Sequence, residues 1–146
     1  MRRFLLFLIF ISCAGNGEMA KVEISVEPDP SYIYIDENLG VKICEAKVRL
    51  EEKGGIGVYF IGERINYIDR ESGEIFSSLI YNADEIREKY GHNYLPGDSW
   101  VEIKIKDMVL ISGPDNFYVE DTIYCRDIKG NYFKLYYKRS CLTPLR

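Results

Sequence analysis

The stretch that decides the fold is Phe117–Cys141, FYVEDTIYCRDIKGNYFKLYYKRSC. At its centre, Asp127-Ile128-Lys129-Gly130 has the residues of a type I turn followed by a left-handed position. The Asp carboxylate can bond back to nearby backbone, and Gly takes a positive φ without a Cβ clash. A loop from Ile128 to Gly130 pairs Asp127 with Asn131 and fixes the register outward from there. Cys125 then opposes Phe133, Ile123 opposes Leu135, Asp121 opposes Tyr137 and Val119 opposes Arg139. Odd positions carry most of the apolar side chains onto one face. Even positions place Tyr118, Glu120, Thr122, Tyr124 and Arg126 against Tyr132, Lys134, Tyr136 and Lys138. Such alternation is a strand pair with one buried and one wet face. Asp121 interrupts the apolar face, which predicts a bulge or bend beside it. A lone hairpin cannot bury its apolar side, so the rest of the chain must supply a second layer.

Working outward, the remaining segments read as further strands. Lys21–Glu27 alternates with Val22, Ile24 and Val26 on one side and is stopped by Pro28-Asp29-Pro30. Tyr32–Ile35 resumes it as a short edge segment. Val41–Leu50 sends Cys44, Ala46, Val48 and Leu50 inward and Glu45, Lys47 and Arg49 outward. Gly54-Gly55-Ile56-Gly57 then allows a crowded turn of the kind that carries a chain between sheets. Strand formers follow at Val58–Ile61 and Arg64–Asp69, a glycine-closed turn at 69–73, and another strand from Glu74 to Ile80. Asn82-Ala83-Asp84 caps a short helix through Tyr90 that Gly91 ends. Trp100–Ile105 alternates with its aliphatic side chains inward, and Gly113-Pro114-Asp115-Asn116 turns the chain into the final hairpin. Seven or eight strands at a spacing of roughly 10 residues, with one helix in a connection, describe an all-β, two-sheet antiparallel sandwich.

A chain of 146 residues is one domain with room for a real core. Its 19 basic and 23 acidic side chains give a net charge of −4, which argues against non-specific nucleic-acid binding. Met1-Arg2-Arg3 followed by the apolar run Phe4–Ile11 is the basic and apolar start of a signal peptide, too short to span a bilayer as a helix. Phe10-Ile11-Ser12-Cys13 is similar to a lipobox, with a small residue before a cysteine that becomes acylated, although Phe10 stands where Leu is usual. On this reading residues 1–12 are removed, Cys13 carries the lipid, 13–20 form a tether and 21–146 fold. Anchored lipid chains would hold the protein at a membrane. Cleavage after Ala14 would instead release a soluble domain.

VEISVEPDPS, the strand ending in EEKGGIGV, the PGDSW strand and the final D-x-x-G-N hairpin resemble the immunoglobulin-like domains of bacterial surface and periplasmic lipoproteins, over about Lys21 to Arg139. The sole tryptophan, Trp100, falls late in the chain, unlike the mid-domain tryptophan of antibody-type domains. The resemblance implies an Ig-like order of strands. In that order the start of the 41–50 strand lies at the same end as the end of the last strand, which favours a Cys44–Cys141 disulfide and leaves Cys125 a buried thiol. The usual Ig bridge would correspond to Cys44–Cys125.

No catalytic constellation emerges. His92, the only histidine, sits in a Gly91-His92-Asn93 loop and reads as solvated. No Cys or Ser stands at a spacing from it that suggests a nucleophile. The glycines at 54–57 are not followed by the Lys-Ser/Thr of a phosphate loop. Acidic loops at Asp29, Asp36-Glu37-Asn38, Asp115-Asn116 and Glu120-Asp121 lack calcium-loop spacing and read as turn chemistry, with a calcium-dependent module or an envelope enzyme as the alternative. The candidate binding face is Tyr118, Tyr124, Tyr132 and Tyr136 with Arg126 and Lys134: aromatic surface among cations suits contact with an envelope protein or a glycan. The sequence therefore predicts an exported, lipid-anchored, non-catalytic binding or structural module, with no cofactor.

Overall fold

The computed structural model describes residues 18–145. The chain folds as an all-β, two-sheet sandwich with one short helix. One sheet contains β1 (Val22–Glu27), β3 (Val41–Glu52) and β7 (Trp100–Leu110). The other runs β9 (Tyr132–Leu142), β8 (Phe117–Asp127), β4 (Val58–Asp69) and β5 (Ile75–Asn82), with the two-residue β6 (Tyr94–Leu95) beside β5 along β4. β2 (Ser31–Asp36) touches both sheets. Its second half pairs antiparallel with β3, while Ser31 and Tyr32 pair parallel with Cys141 and Leu142 of β9. The Tyr32–Ile35 segment is thus a link between layers rather than an edge, because the Pro28–Pro30 kink turns the chain from one layer toward the other.

The final hairpin has the register that its turn imposes. Cys125 opposes Phe133, Ile123 opposes Leu135, Asp121 opposes Tyr137 and Val119 opposes Arg139. Gly130 has φ 90°, and the Asp127 carboxylate accepts the Lys129 and Asn131 N–H groups 3.0 and 2.9 Å away. The odd side chains from Phe117 to Asp127 are buried, as are those from Phe133 to Cys141. Asp121 does not bend this ladder: the pairing of β8 with β9 is unbroken. The irregularity falls on β4 between Phe60 and Gly62, where Ile61 is the extra residue against Cys125 and Tyr124. The acid is accommodated by partners instead, as described below.

Two apolar clusters fill the space between the sheets. The larger contains Val22, Ile24, Val48, Leu50, Phe60, Ile123 and Leu135; the smaller, around Phe117, Val119, Ile33 and Val109, surrounds a disulfide. Cys44 is bonded to Cys141, and Cys125 is a buried free thiol. The usual Ig bridge to Cys125 does not form. Cys125 lies in the larger cluster and Cys44 in the smaller, whereas Ser31 of β2 places Cys141 within one strand of Cys44. A disulfide of this kind belongs to an oxidising, exported setting. Among the described residues, no helix is long and apolar enough to cross a membrane. The proposed signal peptide and Cys13 lie outside the described residues. The packed body reaches back to Ala20, which is buried and donates its N–H to Asp127.

Beside the disulfide, Arg139 is fully buried. Its guanidinium donates to Asp107, to the Ser31 hydroxyl and to the Cys44 carbonyl, and lies against both bridged sulfurs. Tyr67 donates to the other oxygen of Asp107 at 2.8 Å. The glycine loop after β3 does cradle an anion, but one from its own chain. Glu52 accepts the backbone N–H groups of Lys21, Gly54, Gly55, Ile56 and Asp98 at 2.8–3.1 Å. That carboxylate occupies the place a phosphate would need. Burial raises the Glu52 pKa, and these amides more than offset it, holding the group below the usual carboxylate range.

Helix α1 (Ala83–Tyr90) follows β5 directly. Asn82 caps it in a reciprocal box with Glu85, and Gly91 closes it. Its single buried residue, Ile86, closes the sandwich along one side. β7 runs five residues past Ile105, to Leu110, because Asp107 and Val109 continue the inward alternation. β5 is the free edge of its sheet. It carries no charged side chain, and Ile75, Leu79 and Ile80 are exposed.

Candidate functional site

The predicted tyrosine face is the outer surface of the β9–β8–β4 layer. In β8 and β9 its even-numbered side chains are half-buried or exposed along their whole length. Cross-strand pairing sets these side chains in rows. Lys138 opposes Glu120, which opposes Asn66; Tyr136 opposes Thr122, then Arg64; Lys134 opposes Tyr124, then Gly62; Tyr132 opposes Arg126, then Tyr59, then Tyr94 of β6. Residues opposite one another in such rows are close enough for their side chains to touch.

The last row is the most open. Tyr132 is 63% exposed, and Tyr59 and Tyr94 are 46% and 36% exposed. The Tyr59 and Tyr94 rings stack with centroids 4.7 Å apart, and the Arg126 guanidinium lies 5.6 Å from the Tyr132 ring. Gly57 is required here by close approach, since a Cβ at that position would strike the Tyr94 ring. Lys134 covers the Tyr124 ring at 5.3 Å, and Lys138 covers Tyr118 at 4.4 Å. Tyr136 is engaged differently: its hydroxyl donates to Glu120 at 2.8 Å. Partial burial, then that carboxylate, push its pKa up to about 12. The structure thus brings together all six predicted residues of this face and adds Tyr59 and Tyr94. Sequence reasoning missed those two because only the pairing of β4 with β8 and β6 reveals the row.

The charge of the face departs from that of the molecule. Arg64, Arg126, Lys134 and Lys138 point outward there against the single acid Glu120, on a chain whose net charge is −4. Glu120 is itself occupied, accepting from Asn66 and Tyr136. The surface therefore offers cations flanked by rings, suited to an acid-bearing partner that can also lie flat on aromatic surface.

A second constellation lies between the sheets. A cavity of about 20 Å³ is lined by Leu50, Phe60, Ile86, Ile105 and Ile123, with Glu63 and Asp121 among the polar members. Tyr90 donates to Glu63 at 2.7 Å, and Tyr137 donates to Asp121 at 2.8 Å. The second oxygen of each acid, Glu63 Oε2 and Asp121 Oδ1, is buried and meets no N–H or hydroxyl donor, and the two carboxyl groups are hydrogen-bonded to each other. Burial, then the neighbouring Glu63 carboxylate, push the Asp121 pKa well above the carboxylate range. His92 lines the same cavity with a buried, unpartnered Nε2. The expectation of a solvated loop histidine therefore fails: the turn after α1 folds the imidazole back against the sandwich. Sequence alternation did flag Asp121 on the inward face; nothing local flagged Glu63, because the bulge at Ile61 resets the inward parity of β4.

The acidic loops do not converge. Asp29 accepts from the Ser140 N–H, Asp36 from the Leu39 N–H, Asp115 pairs with Lys42, and Asn116 accepts from the Thr143 N–H. Glu120 and Asp121 lie on opposite faces of β8. Among the described residues, no three His, Cys, Asp or Glu side chains gather as metal ligands would.

The sandwich has relatives among solved structures. The ApaA protein from Bordetella pertussis superposes with a TM-score of 0.64 at 13% identity, over 87% of this chain and 97% of that one. The X-ray structure of the structural-genomics target SoR45 gives 0.61 at 12% identity, over 86% and 87%. At such identities the likeness is one of all-β fold alone. No family model matches the chain. No curated protein matches it in sequence.

Proposed function

We propose that this chain is an exported binding module of the cell envelope, held to a membrane by lipid on Cys13, as in the lipoproteins that its sequence resembles. It binds rather than catalyses. The observation that carries this reading is the row Tyr132–Arg126–Tyr59–Tyr94 on an uncovered, locally cationic sheet face. Exposed aromatic side chains beside guanidinium and ammonium groups are what interface centres use, and they favour acid-bearing glycan or protein segments. The Cys44–Cys141 bond supports an exported setting.

The test is retention of envelope fractions on the immobilised full-length chain, comparing wild type with a Tyr59→Ala/Tyr132→Ala variant. Both side chains are exposed, so the variant keeps its fold, and retention is expected to fall at least about tenfold, as for loss of two interface rings. Equal retention by both forms would remove the face from consideration. Intact mass of the processed protein examines the anchor separately: an unmodified Cys13 would leave a secreted domain instead.

A further inference from the structure

The cations of this molecule are spread unequally over its two outer sheet faces. On the β1–β3–β7 layer, Lys47, Arg49, Lys104 and Lys106 stand among Glu23, Glu45, Glu51 and Glu102. Two of them are ion-paired there, Lys47 with Glu102 at 3.4 Å and Arg49 with Glu51 at 3.7 Å. On the β9–β8–β4 layer, Arg64, Arg126, Lys134 and Lys138 are all exposed, and among the described residues none of them is ion-paired. The acid in their midst, Glu120, opposes Lys138 but accepts from Asn66 and Tyr136, while the Lys138 ammonium lies over the Tyr118 ring. Like charges left together on one face repel one another, and an anion laid across them removes that cost.

The placement of these cations is periodic. Arg126 lies beside Tyr132, Lys134 opposes Tyr124, Arg64 shares the row of Tyr136, and Lys138 covers Tyr118 of the next row. Successive rows are two residues apart, so a cation with a ring recurs roughly every 7 Å along the strands, over about 20 Å in all. A folded protein surface has no cause to repeat at that interval, whereas a linear polymer with acids along its length does. Single-stranded nucleic acid needs bare ring faces for its bases, but Lys134 and Lys138 cover the Tyr124 and Tyr118 rings. Those rings are left to offer edges and hydroxyls, which suit the hydroxyl groups of sugars. Open ring surface remains at Tyr132 and Tyr59, where the C–H face of a sugar can lie.

We propose that the outer face of the β9–β8–β4 layer binds a linear acidic polysaccharide, one with carboxylates on its sugar rings, laid along the strands. Its carboxylates meet Arg126, Lys134, Arg64 and Lys138, and one sugar rests on Tyr59 and Tyr132. The inference rests on the reading of this face as a binding surface and names the class of ligand. The two guanidinium groups can each take a carboxylate through paired N–H donations, and the two lysines act as point charges. All four side chains are exposed, so the attraction is screened by salt.

The probe is polygalacturonate, titrated calorimetrically into the full-length chain near neutral pH. Saturable binding is expected, weakening at least about tenfold as salt rises from about 20 to about 200 mM. Three comparators should each bind at least about tenfold more weakly: the methyl ester of the same polymer, poly-L-glutamate and oligodeoxythymidylate. Lys134→Gln/Lys138→Gln should weaken binding roughly tenfold, and Tyr59→Ala/Tyr132→Ala by as much or more. Lys104→Gln/Lys106→Gln makes the same change of charge at exposed positions on the opposite layer and should leave binding unchanged. Absence of saturation, equal binding of the ester, or equal losses in the two lysine variants would overturn the proposal. Equal or tighter binding of poly-L-glutamate would overturn it in favour of an acidic protein partner, and that of oligodeoxythymidylate in favour of nucleic acid. In each of these cases the face remains a binding surface if retention of envelope fractions still depends on Tyr59 and Tyr132; without that dependence both readings fall.

Discussion

At the scale of single residues, the molecule treats its buried acids in two opposite ways, and the difference is measurable. Glu52 and Asp127 are buried, which raises their pKa values, but backbone N–H groups, with the Asn131 amide in the case of Asp127, outweigh that and hold both below the usual range. Their stabilisation is present above about pH 4 and is lost as pH falls through the depressed folded values. Asp121 is shifted upward by burial and by Glu63. Its contribution has the reverse sign: it is complete below about pH 4 and is lost as pH rises toward the raised folded value. Asp121→Asn keeps an acceptor for the Tyr137 hydroxyl and adds an amide donor toward Glu63. The variant should therefore lose less stability than wild type as pH rises above about 4, with an unchanged acid limb. Urea midpoints across that range provide the check; parallel curves for the two proteins would show that Asp121 is ionised in the folded state.

At the scale of elements, the turn chemistry was readable and the long-range company of each strand was not. Asp127 and Gly130 dictated the hairpin register residue by residue, because a three-residue loop leaves no freedom in the pairing. Asn82 and Gly91 marked both ends of α1 for the same local reason: a cap is written within a few residues of the turn it closes. Replacing Asn82 by Ala removes the acceptor for the Glu85 N–H and should cost about 1 kcal/mol. Amide exchange over residues 83–90 should accelerate while exchange in β8 stays slow, which global unfolding measurements alone would not distinguish. The missed features share a different origin. Tyr59 and Tyr94 join the tyrosine face only when β4 and β6 take their places, and Glu63 turns inward only because Ile61 forms a bulge. Local alternation could not supply a bulge on β4, and it misassigned one to β8 because an inward acid resembles a broken pattern. Six of the eight residues of the candidate face were thus legible in the hairpin, and Tyr59 and Tyr94 waited on its neighbours.

For the molecule as a whole, one covalent link reaches across most of the chain. The Cys44–Cys141 separation of 97 residues puts its loop-entropy contribution at about 4–5 kcal/mol. Denaturation with and without reductant should differ by up to that amount, with the Cys44→Ser/Cys141→Ser variant matching the reduced protein; coincident curves would mean that the bond restrains nothing. The bridge lies where β2 contacts both β3 and β9, so the two layers are joined there by backbone pairing, by sulfur and by the Arg139–Asp107 pair. Consider, then, a load applied between the N-terminal side of the body and a partner held on the tyrosine face. Tension would pass along β1 and β2 to Cys44, cross the bridge to Cys141 and enter β9 directly. Residues 45–131 would lie off that covalent route. The early strands could peel while the far layer kept its grip, giving the module a short extensible leash with a fixed stop.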